Sequence, residues 1–132
     1  MGVFVDSNII FDLVNKDPAW LDWSRSALQQ HASGKLCTNA VVYAELCTNA
    51  VSTDEVDALL NSMGIVLLEL PRNALFLAAK AHLSYRRKGG TKTSPLPDFF
   101  IGGHAAVMGI PLLTRDEGRY RTYFPQVELI CP

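Results

Sequence analysis

Four acidic residues stand where a charge is hard to keep. Asp6 follows the apolar run Val3-Phe4-Val5 and precedes the small polar pair Ser7-Asn8. Glu45 lies among apolar residues in Val42-Tyr43-Ala44-Glu45-Leu46. Asp98 opens Phe99-Phe100-Ile101-Gly102-Gly103, the most apolar stretch of the chain. Asp116 comes two residues after Thr114, which ends Leu112-Leu113-Thr114. A carboxylate beside apolar segments is costly unless it is paired or bound to metal. Asp116 has Arg115 beside it, but Asp6, Glu45 and Asp98 have no basic neighbour in sequence. Bringing such groups together raises the pKa of at least one, and a divalent cation removes the conflict. Hard oxygen donors suit Mg²⁺ or Mn²⁺. Each acid also has a plainer use. Asp6 suits a cap or turn, Glu45 an exposed helix face and Asp116 a turn. Asp98 in a first turn stabilises a helix by about 0.3–1 kcal/mol. Periodicity alone does not bring the four together.

The elements that must position them alternate in type. Val3 to Val5 is an unbroken β-branched and aromatic run, as expected of a strand covered on both faces. A helix follows over about 7–14, with Ser7 or Asn8 as its cap. Pro18 suits the first turn of a second helix to about Ala32, capped by Asp17, with Trp20, Trp23, Ala27 and Leu28 on one side. A short strand, Lys35 to Thr38, precedes a helix over 40–49 capped by Thr38 or Asn39. Another helix runs from Ser52 to Met63, and Gly64 ends it. Ile65 to Leu68 reads as a buried strand. The next helix covers 74–87, with Leu75, Phe76, Ala79 and Leu83 as its inward face. The stretch 88–95 is the one long loop. Asp98 then opens a central helix to Met108, where Gly102 and Gly103 imply close backbone packing. Strands at 112–114 and 127–130 flank a helical turn over 119–123. Strands alternating with helices predict a single α/β domain over 1–132. Its central sheet is mainly parallel, of four or five strands, with helices on both faces.

Composition narrows the function classes. At 132 residues, 48% apolar and 19% charged, the chain is one globular domain. No apolar run is long enough for a membrane span, and the start lacks the pattern of a secretion signal, so a cytoplasmic protein is expected. Cys37, Cys47 and Cys131 have no metal-type spacing and read as free thiols. Net charge is −1, but most basic residues fall between Lys80 and Arg121. That cluster suits local phosphate contact. Cations ending a helix are the plainer account of 80–88.

These motifs, in order, resemble the PIN-domain ribonucleases, in particular the VapC-type toxins of bacterial toxin–antitoxin pairs. Val5-Asp6-Ser7-Asn8, Tyr43-Ala44-Glu45-Leu46, Pro97-Asp98-Phe99-Phe100-Ile101-Gly102-Gly103-His104-Ala105 and Leu113-Thr114-Arg115-Asp116 with Arg119 to Pro125 carry the likeness over nearly the whole chain. It implies a Mg²⁺- or Mn²⁺-dependent endoribonuclease that inhibits translation. Asp6, Glu45, Asp98 and Asp116 would be the metal-binding, catalytic acids, with Ser7 and Thr114 as supporting hydroxyls. Arg86, Arg87, Lys92, Arg115, Arg119 and Arg121 become candidates for RNA phosphates. A cognate antitoxin, a homodimer and a hetero-oligomer with the antitoxin are the implied partners. Glu117, an extra acid beside Asp116, departs from the pattern. Phosphotransfer receivers and haloacid-dehalogenase phosphatases also place acids at strand ends, but Asp6-Ser7-Asn8 lacks the second acid both require. The remaining alternative is a PIN-like module that grips RNA or a partner without cutting.

Overall fold

The computed structural model describes residues 2–90 and 96–132, without the side chain of Arg119. Each predicted strand and helix is present, with small shifts of boundary. The strands are β1 (Gly2–Val5), β2 (Lys35–Asn39), β3 (Ile65–Leu68), β4 (Leu112–Leu113) and β5 (Leu129–Ile130). The helices are α1 (Ser7–Val14), α2 (Leu21–Gln30), α3 (Ala40–Cys47), α4 (Thr53–Met63), α5 (Arg72–Arg87), α6 (Leu96–Met108) and α7 (Glu117–Tyr123). The expected loop lies partly in 91–95, outside the described residues, and so does Lys92.

All five strands are parallel, in the order β3-β2-β1-β4-β5. The chain winds outward from β1 through β2 to β3, then crosses back to β4 and β5. Right-handed crossovers therefore send α1 to α4 to one face and α5 to α7 to the other. Most contacts follow this division, with α1 on α2 and α3, α3 on α4, and α6 on α5 and α7, while α3 and α6 also meet each other, where Asn39 at the start of α3 reaches His104 of α6. The winding reverses between β1 and β4. In open α/β sheets, the crevice beyond the carboxyl ends of strands at such a reversal is where ligands bind.

β1 earns its central place by composition. Val3, Phe4 and Val5 are buried, and Phe4 pairs with Cys37 on one side and Leu112 on the other. β3 departs from the expected buried strand. It is a sheet edge, and Val66 is 53% exposed there. Helix α5 departs more. Leu75, Phe76 and Leu83 face outward, with Phe76 63% exposed, and the buried face is Ala74, Ala78 and Ala81. The reason lies in α6. A methyl on Gly103 would stand 2.8 Å from the carbonyl oxygen of Ala74, so the two helices meet nearly backbone to backbone. Only small side chains fit between them. Gly102 is closed in the same way by the Phe124 ring. The close packing expected of these glycines is therefore present, and it holds Asp98 over the end of the sheet.

Candidate active site

Asp6 leaves β1 at the reversal point and is only 3% exposed. It is itself the cap of α1: Oδ1 accepts from the Ser7 backbone N–H at 2.7 Å. The expectation that Ser7 or Asn8 would cap this helix is corrected by that bond. A short polar residue must leave the strand and start the helix in one step, and the carboxylate, not the hydroxyl, reaches the free N–H. Its other oxygen, Oδ2, accepts from Thr114 Oγ1 at 2.8 Å and Tyr120 Oη at 3.0 Å, with Asn8 Nδ2 more distant at 3.4 Å.

Thr114 is fully committed. Its hydroxyl donates to Asp6 and accepts from Asn8 Nδ2 at 3.2 Å and the Asp116 N–H at 3.0 Å. Asn8 in turn accepts the Arg115 N–H on Oδ1 at 3.2 Å. One network thus ties the end of β1 and the start of α1 to the end of β4. Burial pushes the Asp6 carboxyl from its ordinary 3.8 up to about 6; the Thr114 bond works against this, and the Asp98 charge adds to it.

Glu45 reaches the same place from α3. That helix starts cleanly because Asn39 Oδ1 accepts from the N–H groups of Val41 and Val42, while its Nδ2 meets His104 Nδ1 of α6 at 3.1 Å. The Glu45 carboxyl is raised above its usual range, first by burial and further by Asp6 and Asp98, with the Ser7 hydroxyl opposing. Its Oε1 is buried with no hydrogen-bond partner. Asp98, half-buried in the first turn of α6, bears on Asp6, Glu45 and Tyr120. Asp6, Glu45 and Asp98 are therefore close enough to repel one another. Asp116 is set apart. It is exposed, at the N-cap position of α7 without a capping bond from its side chain.

This donor set suits a hard cation. The oxygens are carboxylates, they repel one another, and one is buried without a partner. They do not form a closed cage: no three His, Cys, Asp or Glu side chains among the described residues converge to ligate one ion directly. That openness agrees with Mg²⁺, which binds through one or two carboxylates and keeps several waters.

The candidate RNA contacts divide sharply. Arg86 and Arg87 are exposed at the end of α5. Arg115 is turned inward: Nε and Nη2 bond Asp12 at 2.7 and 2.9 Å, and the guanidinium lies over the Trp20 ring at 5.1 Å. Arg121 holds Glu117 through two bonds near 3 Å, and Cys131 also donates to that carboxylate. The extra acid beside Asp116 is thus neutralised on the surface of α7. Sequence reasoning missed Tyr120 and the bridging role of Asn8. Tyr120 stands four residues after Asp116 on a short helix, a spacing that places both toward one side and was available as a signal.

Comparison with known proteins agrees with this architecture. No curated protein matches the chain in sequence. Among solved structures, a chain of the crystal structure of VapBC2 from Rickettsia felis, bound to a DNA fragment from their promoter, superposes with a TM-score of 0.74. Identity is 18%, covering 99% of this chain and 98% of that one. A chain of VapBC-1 from nontypeable Haemophilus influenzae gives 0.73 at 17% identity, covering 99% and 98%. A chain of a toxin–antitoxin complex from Klebsiella pneumoniae gives 0.68 at 16%, covering 98% and 97%. These likenesses are likenesses of fold. The sequence itself matches the PIN domain over residues 3–125, nearly its full length, and on that ground the chain belongs to the PIN domain family.

Proposed function

We propose that this protein is a Mg²⁺- or Mn²⁺-dependent endoribonuclease acting as the toxin of a toxin–antitoxin pair in the cytoplasm, where it inhibits translation. The observation that carries this reading is the meeting of Asp6, Glu45 and Asp98 at the reversal of the sheet, with Glu45 Oε1 buried and unpaired. The guanidinium of Arg115 is bound to Asp12.

One or two of Asp6, Glu45 and Asp98 would hold the ion directly and the rest through its waters, and Asp116 is exposed at the start of α7, where it could meet those waters. A divalent cation there neutralises phosphate charge, lowers the pKa of a water and stabilises the leaving 3′-oxygen. The chain's own residues supply the rest. Thr114, Tyr120 and the Ser7 N–H keep Asp6 in place. Glu45, with its raised pKa, accepts the proton of the attacking water. Arg86 and Arg87 contact flanking phosphates. The open site suits single-stranded RNA, whose bases can be splayed out of a stack. The full-length likeness in fold to VapBC and toxin–antitoxin structures supports a cognate antitoxin as partner; a homodimer is part of the same proposal.

The test is incubation of the purified protein with RNA and Mg²⁺ or Mn²⁺, then with a chelator. Cleavage is expected only with metal, and is expected to vanish in Asp6→Asn and Asp98→Asn. Cleavage that persists in chelator or in both variants refutes the metal-nuclease reading. Tight RNA binding with no cleavage of any RNA shows a binding module instead.

A further inference from the structure

Tyr120 is fully buried, yet its hydroxyl is spent on a carboxylate that is also buried. Donors around Asp6 are unevenly shared. Oδ2 takes Thr114 at 2.8 Å, Tyr120 at 3.0 Å and Asn8 at 3.4 Å. Oδ1 takes one strong bond, the Ser7 N–H at 2.7 Å, and a long contact with the Ser7 hydroxyl at 3.5 Å. A carboxylate oxygen offers about two lone pairs. Those of Oδ2 are filled by Thr114 and Tyr120, while one on Oδ1 stays open. Tyr120 cannot move aside, because its ring is enclosed in the core that also holds Phe124 and Phe99. Thr114 is equally fixed by its bonds to Asn8 and the Asp116 N–H.

We propose that Tyr120, together with Thr114, closes Oδ2 of Asp6 so that Asp6 meets a cation through Oδ1 alone. Tyr120 is then a positioning residue that sets where the ion stands between β1 and α6. This inference rests on the metal-nuclease reading above. Removing the hydroxyl while keeping the ring opens a lone pair on Oδ2 and lets the carboxylate turn toward the ion with both oxygens. Binding does not weaken, but the ion shifts away from its working position. Groups that orient a metal ligand typically change activity by about 10–100-fold when removed.

The experiment compares wild type and Tyr120→Phe at pH 8. Mn²⁺ affinity is read by calorimetry, the bound-ion spectrum by electron paramagnetic resonance, RNA cleavage by single-turnover rate, and folding by thermal melting. The expected result is a rate about 10–100-fold lower, Mn²⁺ affinity equal to or tighter than wild type, and an altered Mn²⁺ spectrum. A parallel fall in affinity, rate and melting temperature shows a packing role only and overturns the inference. So does a variant identical to wild type in rate and spectrum. If wild type itself neither binds Mn²⁺ nor cleaves RNA, the nuclease reading fails and this inference fails with it. Wild type that does both, beside an unchanged Tyr120→Phe, removes this inference alone.

Discussion

The Asp12–Arg115 pair makes an asymmetric prediction about stability. Asp12 is 2% exposed at its side chain and Arg115 is 26% exposed. Asp12 Oδ2 accepts from Arg115 Nε at 2.7 Å and Ser24 Oγ at 2.6 Å, and Oδ1 from Arg115 Nη2 at 2.9 Å. Arg115→Met keeps most of the side-chain stem against Trp20 but leaves a buried carboxylate with Ser24 as its remaining donor. Breaking a buried ion pair from one side costs about 3–5 kcal/mol, and partial exposure of the guanidinium favours the lower end, about 3 kcal/mol. Asp12→Asn leaves the charge that can reach water, so its cost is about 1–2 kcal/mol. At about 2.1 cal/mol/K of unfolding entropy per residue, this chain loses about 3.6 °C of melting temperature per kcal/mol. Arg115→Met is then expected to melt about 11 °C below wild type, and Asp12→Asn about 4–7 °C below. The double variant removes the stranded charge and is expected to be more stable than Arg115→Met alone. Urea and thermal unfolding of all four proteins measure this. If Asp12→Asn is the more damaging single change, or if the double variant shows the sum of both losses, the reasoning from the buried carboxylate is refuted.

The raised pKa of Asp6 sets a second expectation. A carboxyl at about 6 in the folded chain and 3.8 otherwise stabilises the fold fully below 3.8 and loses that contribution as pH rises through about 6. The difference is at most about 3 kcal/mol at 1.36 kcal/mol per unit, less what Asn loses as an acceptor for Thr114 and Tyr120. In chelator at pH 8, Asp6→Asn is expected to be about 1–2 kcal/mol more stable than wild type, with the advantage gone near pH 4. A variant less stable at pH 8, or an advantage independent of pH, contradicts this account. Gly103→Ala is expected to cost about 1–3 kcal/mol, because the neighbours of the new methyl are the backbone of Ala74 and Ala78. Gly118→Ala, with nothing within 4 Å, is the control and should be neutral or slightly stabilising by thermal melting.

What the sequence made legible was local. Caps, breakers and periodicity are set by neighbours a few residues apart, so Ser7–Val14, Asn39 at the start of α3 and Gly64 at the end of α4 stood out before any tertiary argument. The three inner acids stood out because a charge inside an apolar stretch is itself local information. The misread parts depend on closure of the chain. The inward face of α5 was assigned to its large apolar residues, but contact with Gly103 selects small ones. Arg115 suits a phosphate contact when only its sequence neighbours are known, because its partner Asp12 lies 103 residues earlier. Tyr120 carries no role of its own in the sequence because the oxygen it bonds lies 114 residues earlier. Asp6 caps α1 through Oδ1 while Oδ2 joins Thr114 and Tyr120, so its use as a cap does not exclude a place in the acidic pocket.

The charge pairs also decide which side of the site is basic. Arg115 and Arg121 entered as phosphate contacts, yet the first is bound to Asp12 and the second to Glu117. On the described surface, Arg86, Arg87 and Lys88 are exposed cations where α5 ends, with Lys88 over the Tyr123 ring. Tyr123 packs on Phe99, the residue after Asp98, so this basic end is joined to the acidic pocket through two aromatic rings. An RNA strand held by phosphate contacts would therefore approach along α5 and α6, past Asp98, and not along α1 and α2, where Asp12 and Trp20 already occupy Arg115. On the nuclease reading, that path takes the backbone past Asp98 toward Asp6, which Tyr120 and Thr114 hold in place.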